Sequence, residues 1–343
     1  MRSLIWCICF PLLLLLETAP LILFAQPNGC SSIPPVMYLN LGPIYKDARN
    51  SIPDTAMERR NTEQSDGVTK FMSYVEKGLE DIAVGGDTTM LSCAYRIFGS
   101  WAEAQALTEQ SQHYNLQGTV KVSQVLIGLD LIALKFRSIG YPLSKAMVSW
   151  LHTLNNQNMY FFRHATNRGN LYVWSGAAAA LSALIDHDPE SLQYQDYVWR
   201  DALSKINNDG TIDGEMARGQ RALIYHMYSF SAMLVLRDAR EALSYPHSDT
   251  SEIRIRLLAN MIGRALCDPG GMSITAKATQ EIPGDWGYRA LVGFGKDLLN
   301  DNWSRCGKLQ ISLFDSGMGG DTGRSGALLK QLALKTGNHV APR

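Results

Sequence analysis

GAAAALSALI, residues 176–185, is the stretch on which the fold turns. It carries small residues on every face, so a helix built from it can approach its neighbours closely on all sides. Such a helix belongs in an inner layer. Outward from it, helical periodicity runs through about 66–83, 87–110, 117–138, 143–155, 170–186, 190–206, 214–241, 250–267, 286–299 and 322–335, separated by short polar or Gly/Pro punctuation. Only short pieces such as LQISLF, 309–314, have strand character. Ten or so helices without βαβ alternation predict an all-α domain, and short connections predict antiparallel helical hairpins.

The chain has 343 residues and 46% apolar composition, enough to bury a full core. Its 32 basic and 32 acidic residues cancel. No global field therefore recommends nucleic acid as a partner, and an anionic ligand must be met locally, inside a cleft. Residues 1–25, MRSLIWCICFPLLLLLETAPLILFA, read as a secretory signal, with an uncleaved amino-terminal anchor as the competing reading. Either reading exports the remainder, to the periplasm or beyond, and no later segment is long and apolar enough to span a bilayer. Residues 26–55, rich in Pro, Gly, Asn and Ser, are expected to be irregular, and 56–343 to form a single domain.

Cys7 and Cys9 lie in the signal, leaving Cys30, Cys93, Cys267 and Cys306. An even number in an exported chain predicts two disulfides, with three possible pairings. No CxxC or HxxxH spacing recommends a metal, and no cofactor is expected.

The candidate site rests on RGQRALIYHMY, 218–228, and NRGNLYVWSG, 167–176. On a continuous helix Arg221, Tyr225 and Tyr228 share one side. The bland alternative is an Arg221 paired with Glu215 or Asp213, beside ordinary buried phenols. Asn170 reads equally as a helix cap or as an uncharged amide donor to a carboxylate. Tyr172 and Trp174 read as core or as sugar platforms, and Trp286 and Arg218 join them as candidate substrate-binding residues. His226, about 140° round the helix from Arg221, is expected to reach the site only from the flank. A cation, an amide and a phenol converging would suit β-elimination from a uronic acid: the first two neutralise the carboxylate, and a phenol acidified by a nearby Arg removes the C5 proton. A glycosidase would need a carboxylate pair, and Asp213, Glu215, Asp285 and Asp321 show no distinctive spacing. GxSxG is absent.

DGEMARGQRALIYHMYSFSAMLVLRDA, 213–239, resembles the segment L-x-R-x-Q-R-A-L-x-Y-H-x-Y of the alginate lyases of polysaccharide lyase family 5, and NRGNLYVWSG resembles their R-N-N-H-x-Y-W-A. The likeness extends to SCAYRIFGSWAEAQAL (92–107), LQGTVKVSQVL (116–126) and, more faintly, MGGD (318–321). It implies an incomplete α/α toroid with a deep cleft, acting on an anionic polysaccharide by β-elimination. Position by position it implies that Asn170 and Arg221 neutralise the substrate carboxylate and that Tyr228 is catalytic acid and base. It also implies a Cys30–Cys93 disulfide, which leaves Cys267 with Cys306. The substrate would be a mannuronate- or glucuronate-containing polymer such as alginate, a glucuronan or an exopolysaccharide. The expected form is a monomer, with polysaccharide export machinery as a further partner. Two departures stand out: the family's catalytic His is Leu171 here, preceded by Gly169 rather than Asn, and its lid is matched only by NTEQSDG, 61–67. The rival readings are a polymer-binding protein that has lost turnover and a helical-toroid glycoside hydrolase.

Overall fold

In a computed structural model, the residues described are 30–83, 85–86, 88–113, 115–165, 169–245 and 248–337. The signal expected at 1–25 lies outside them. The chain divides into a unit of residues 1–31, of which only Cys30 and Ser31 are described, and a unit of residues 32–343, to which everything below except Cys30 refers.

Among the described residues the helices are α1 (Thr55–Gln64), α2 (Asp66–Ala83), α3 (Thr88–Glu103), α4 (Leu116–Ser138), α5 (Lys145–His164), α6 (Asn170–Asp186) and α7 (Pro189–Ser204). They continue with α8 (Asp213–Met216), α9 (Ala222–Ala242), α10 (Asp249–Cys267), α11 (Gly270–Ala276), α12 (Trp286–Phe294), α13 (Asp301–Cys306) and α14 (Thr322–Gly337). The helix starts are chemically marked. Asp54, Asn115, Ser144, Asp188, Ser248 and Asn300 each accept a backbone N–H of the first turn, and Pro189 supplies a preset φ behind Asp188.

Packing sorts the helices into two layers. α2, α4, α6 and α9 pack side by side as an inner layer that continues into α12 and α14, while α3, α5, α7 and α10 pack in the same order outside them. Each inner helix pairs with the outer helix next in the chain, α2 with α3, α4 with α5, α6 with α7 and α9 with α10. This is an incomplete α/α toroid. The burial follows the sequence: almost every residue of α6 from Tyr172 to Ile185 is buried, whereas α5 and α10 bury one stripe only. Small residues are required on α6, because a Cβ at Gly176 would stand 2.5 Å from Val198 of α7.

Five expectations need correction. The helix expected over 214–241 is broken: α8 ends at Met216, Gly219 takes a left-handed φ of +60°, and a 3-10 turn over Gly219–Arg221 leads into α9. The helix expected over 87–110 stops at Glu103, where Gln105 and Leu107 adopt positive φ, and 143–155 extends to His164. LQISLF is not a strand; only Phe314–Asp315 pairs, antiparallel with Gly320–Asp321. Residues 61–67 are not a lid but the α1–α2 junction, with Asn61 buried and bonded to both backbone groups of Gly42.

Cys267 and Cys306 form a disulfide joining α10 to α13, and Cys30 and Cys93 are each disulfide-bonded. None of the described helices is long and apolar enough to cross a membrane. Beneath the short hairpin, Glu76 of α2 is fully buried and neither carboxylate oxygen has a hydrogen-bond partner. Burial outweighs the attraction of Lys135 and pushes this carboxyl up to about 9. A carboxyl raised on folding contributes stability that is complete below the unfolded value of 4.5 and is lost as pH climbs through 9. Stability should therefore fall across that window by at most about 1.4 kcal/mol per pH unit from this group. Glu76→Gln should flatten that fall and raise Tm at mildly alkaline pH, as thermal unfolding across pH would record; an unchanged profile would show that Lys135 keeps Glu76 ionised.

Candidate active site

α6 and α9 meet face to face, and their first turns carry the polar residues. Asn170 is the first residue of α6. The cap position belongs to Gly169, which makes no side-chain cap bond, so the capping reading of Asn170 falls away. Its buried amide instead donates to both oxygens of Glu215, each at 3.3 Å. Glu215 also accepts from Ser229 Oγ at 2.9 Å and faces Arg218 Nε at 3.8 Å. Burial raises this carboxyl above its ordinary range, opposed by Ser229, Arg218 and Asn170.

Arg221 stands just outside α9, at its cap position. Its Nη1 donates to Tyr45 Oη at 2.9 Å, and its Nε lies 3.5 Å from Glu281. Tyr225 donates to the same Tyr45 hydroxyl at 2.6 Å, while the Arg218 guanidinium lies 4.7 Å from the Tyr225 ring centre. Tyr45 arrives on the irregular 43–54 segment, which is fastened over the turn by bonds from Arg218 to Arg49 O and from Gln220 to Ser51 O. Arg221 thus pairs with neither Glu215 nor Asp213; Asp213 accepts from Asn207.

Tyr228 lies one turn further along α9, partly buried. Its ring centre is 4.8 Å from that of Trp174 and 6.1 Å from that of Trp286, which stands edge-on at the head of α12. The Gln124 amide of α4 donates to its hydroxyl. Burial holds the Tyr228 phenol above its ordinary value, with Gln124 opposing and Tyr45 and Asp315 adding to the rise. The expected acidification by a neighbouring Arg is therefore absent in the free protein: Arg221 spends its charge on Tyr45 and Glu281. Tyr225 is raised likewise, by burial first and then by its bond to Tyr45.

The structure thus gathers Asn170, Arg218, Arg221, Tyr225, Tyr228, Trp174 and Trp286 along one side of α6 and α9. Two of the expected residues stand elsewhere. Tyr172, two positions from Asn170, turns about 200° round α6 and packs edge-on against Tyr194 of α7. His226 is fully buried: its Nδ1 donates to Ala222 O at 2.7 Å and its Nε2 accepts Ile212 N–H at 2.9 Å. With both ring nitrogens bonded to backbone and burial pushing the imidazolium down to about 4, His226 is neutral and serves to pin the approach to α8 and Glu215. His164 ends α5, its ring bonded to Tyr160 O.

Sequence reasoning missed Tyr45, Gln124 and Glu281. Gln124 left a trace, a polar residue directly before the apolar run VLIGL, 125–129; Tyr45 left none in its Pro- and Gly-rich surroundings. Among the described residues no group of three or more His, Cys, Asp or Glu could hold a metal.

A two-layer helical toroid whose inner face brings together amide, guanidinium and phenol defines a class, and the family model that matches it is described as alginate lyase, over residues 58–248. The match covers more than half of the chain, and the chain belongs to the alginate lyase family. A polysaccharide lyase of Stenotrophomonas maltophilia (strain K279a) is 26% identical over 219 residues, 62% of this chain and 64% of that one. An alginate lyase of Pseudomonas syringae pv. syringae (strain B728a) is 22% identical over 186 residues, 51% of this chain and 49% of that one. The chain thus spans just under two thirds of the first relative and about half of the second. Alginate lyase A1-III of Sphingomonas species A1 shares the fold at TM-score 0.63 and 17% identity, covering 87% of this chain and 85% of that one. A variant of A1-III complexed with a tetrasaccharide superposes at TM-score 0.68 with 17% identity, covering 87% and 84%.

Proposed function

We propose that the protein is an exported polysaccharide lyase that cleaves a 4-linked polyuronate by β-elimination, on a mannuronate- or glucuronate-containing polymer such as alginate. The observation that carries this reading is the setting of Tyr228, a phenol walled by two indoles, with one amide donor on its oxygen and a carboxylate clamp on the neighbouring turns. The substrate carboxylate takes the place beside Arg221 that the Tyr45 hydroxyl holds in the free protein. Asn170 keeps one amide hydrogen on Glu215 and turns the other to the same carboxylate. With that charge neutralised, the C5–H bond becomes acidic because its electrons can spread into the carboxylate. Tyr228, as phenolate supported by Gln124, removes the proton; the C4–O bond breaks, a C4–C5 double bond forms, and the phenol returns the proton to the leaving oxygen. One group on one face suffices for this syn course, so Leu171 in place of the family His does not forbid it.

A rise in ultraviolet absorbance on a panel of polyuronates tests the reading, since only elimination makes a conjugated unsaturated uronate. Reducing-end release without that rise would turn the assignment to hydrolysis, and tight polymer binding with neither signal would turn it to a binding protein. Because burial raises the Tyr228 phenol, turnover should climb with pH, by up to about tenfold per unit while the phenolate is the scarce form. A profile flat from roughly pH 6 to 9 would remove Tyr228 as the base.

A further inference from the structure

The chain has no net charge, yet among the described residues one cation on α4, a turn from Gln124, has no carboxylate paired with it. Arg218 faces Glu215, Arg221 faces Glu281, Arg289 of α12 lies 3.5 Å from Asp315, and Arg324 is paired with Glu80. Lys121 of α4 is partly buried, and no carboxylate among the described residues lies within 4 Å of its ammonium. Three residues separate it from Gln124, whose amide is bonded to the Tyr228 hydroxyl, so helical geometry sets the two side chains on neighbouring faces, roughly 5–6 Å apart at Cβ. The carboxylate that acts on it electrostatically is Asp315, which also faces Arg289, whose own Nε has no hydrogen-bond partner. Burial pushes the Lys121 ammonium below the ordinary lysine range, with Asp315 only partly offsetting it. A desolvated, uncompensated ammonium is a cost to the free protein, and an anionic ligand recovers it.

We propose that Lys121 forms a second carboxylate subsite, binding the uronate next to the one whose C5 proton Tyr228 removes. The proposal rests on the polyuronate lyase reading and deepens it. A polyuronate presents a carboxylate on every sugar, and the clamp at Arg221 and Asn170 accounts for one of them. Lys121 stands one turn before Gln124 on α4, and Asp315 is close enough to act electrostatically on both its ammonium and the Tyr228 phenol, which sets the ammonium in the neighbourhood of the reacting group. Its task is to bind and set the register of the chain rather than to take part in proton transfer. Longer substrates should therefore depend on it, and carboxyl-esterified polymer should not.

Lys121→Met should raise KM on polyuronate at least tenfold at low ionic strength while kcat at saturation changes less than threefold. Lys121→Arg should restore most of the loss, and added salt should narrow the gap between wild type and Lys121→Met. Calorimetric binding of oligouronates to the wild-type and Lys121→Met chains, each also carrying Tyr228→Phe, reads the same contact without turnover. If no polyuronate yields unsaturated product but Lys121→Met still weakens binding, the lyase reading falls and the subsite stands. Unchanged KM and unchanged binding, or a loss confined to kcat, would overturn the subsite. Tm should stay at the wild-type value for Lys121→Arg and match or exceed it for Lys121→Met, which removes the buried charge; a drop shared by Met and Arg would mark Lys121 as structural and overturn the subsite as well.

Discussion

Tyr228→Phe should lower kcat by at least a factor of about 10³, the range that a group acting as both base and acid supplies. The ring remains, so its contacts with Trp174 and Trp286 remain, and polymer affinity should stay within about threefold of wild type. Only the hydroxyl that Gln124 addresses is lost. Tm should move little, because the Gln124 amide that loses its partner is only partly buried and can be satisfied by water. Ultraviolet assays at saturating polymer, with calorimetric binding beside them, measure both quantities. A variant that turns over near the wild-type rate would make Tyr228 an ordinary core phenol, and the base would have to be sought elsewhere.

Arg221→Met should reduce kcat/KM by about two to three orders of magnitude, the loss typical when one fixed donor to a developing oxyanion is removed. Unlike the change at Tyr228, this one should appear in both kcat and KM, since in the proposed mechanism the guanidinium meets the carboxylate in the ground state and holds it more strongly as charge flows in. Arg221→Lys should recover only part, because an ammonium lacks the planar fork that can address Tyr45 or a carboxylate with two parallel donors. The 43–54 segment gives a structural control. If Arg221 serves only to hold Tyr45, the variant will lose stability while its kcat/KM stays within a few-fold of wild type, which would exclude the clamp.

These outcomes interact with pH. A Tyr228 phenolate acting as the proposed base calls for alkaline conditions, whereas Glu76 withdraws stability as pH rises towards 9. Turnover measured briefly should keep climbing after long-term survival has begun to fall, and Glu76→Gln should separate the two.

The helical architecture was legible because it rests on local rules. The small residues of 176–185 specify an inner helix, and the boundaries of α2 and α6 were legible to the residue from periodicity. The break before α9 was not, because Met216 and Leu223 stand seven residues apart, as on a continuous helix; the left-handed φ of Gly219 and the 3-10 turn after it place Arg221 off the helical lattice. That phase error also explains His226. Its angle from Arg221 along an ideal helix suggested a flank, whereas Arg221 is not on that helix and His226 points into the core.

By itself the sequence determined the helix inventory, the set of cysteines available for oxidation and the chemical types at Asn170, Arg221 and Tyr228, all properties of short windows. Tertiary structure alone decided what those groups touch. The partners that matter are distant in the chain, Gln124 lying 104 residues from Tyr228 and Tyr45 lying 176 from Arg221. It also decided the direction in which Tyr228 titrates, because burial, a property of the whole fold, outweighs a guanidinium that the sequence places nearby and the structure directs to another phenol.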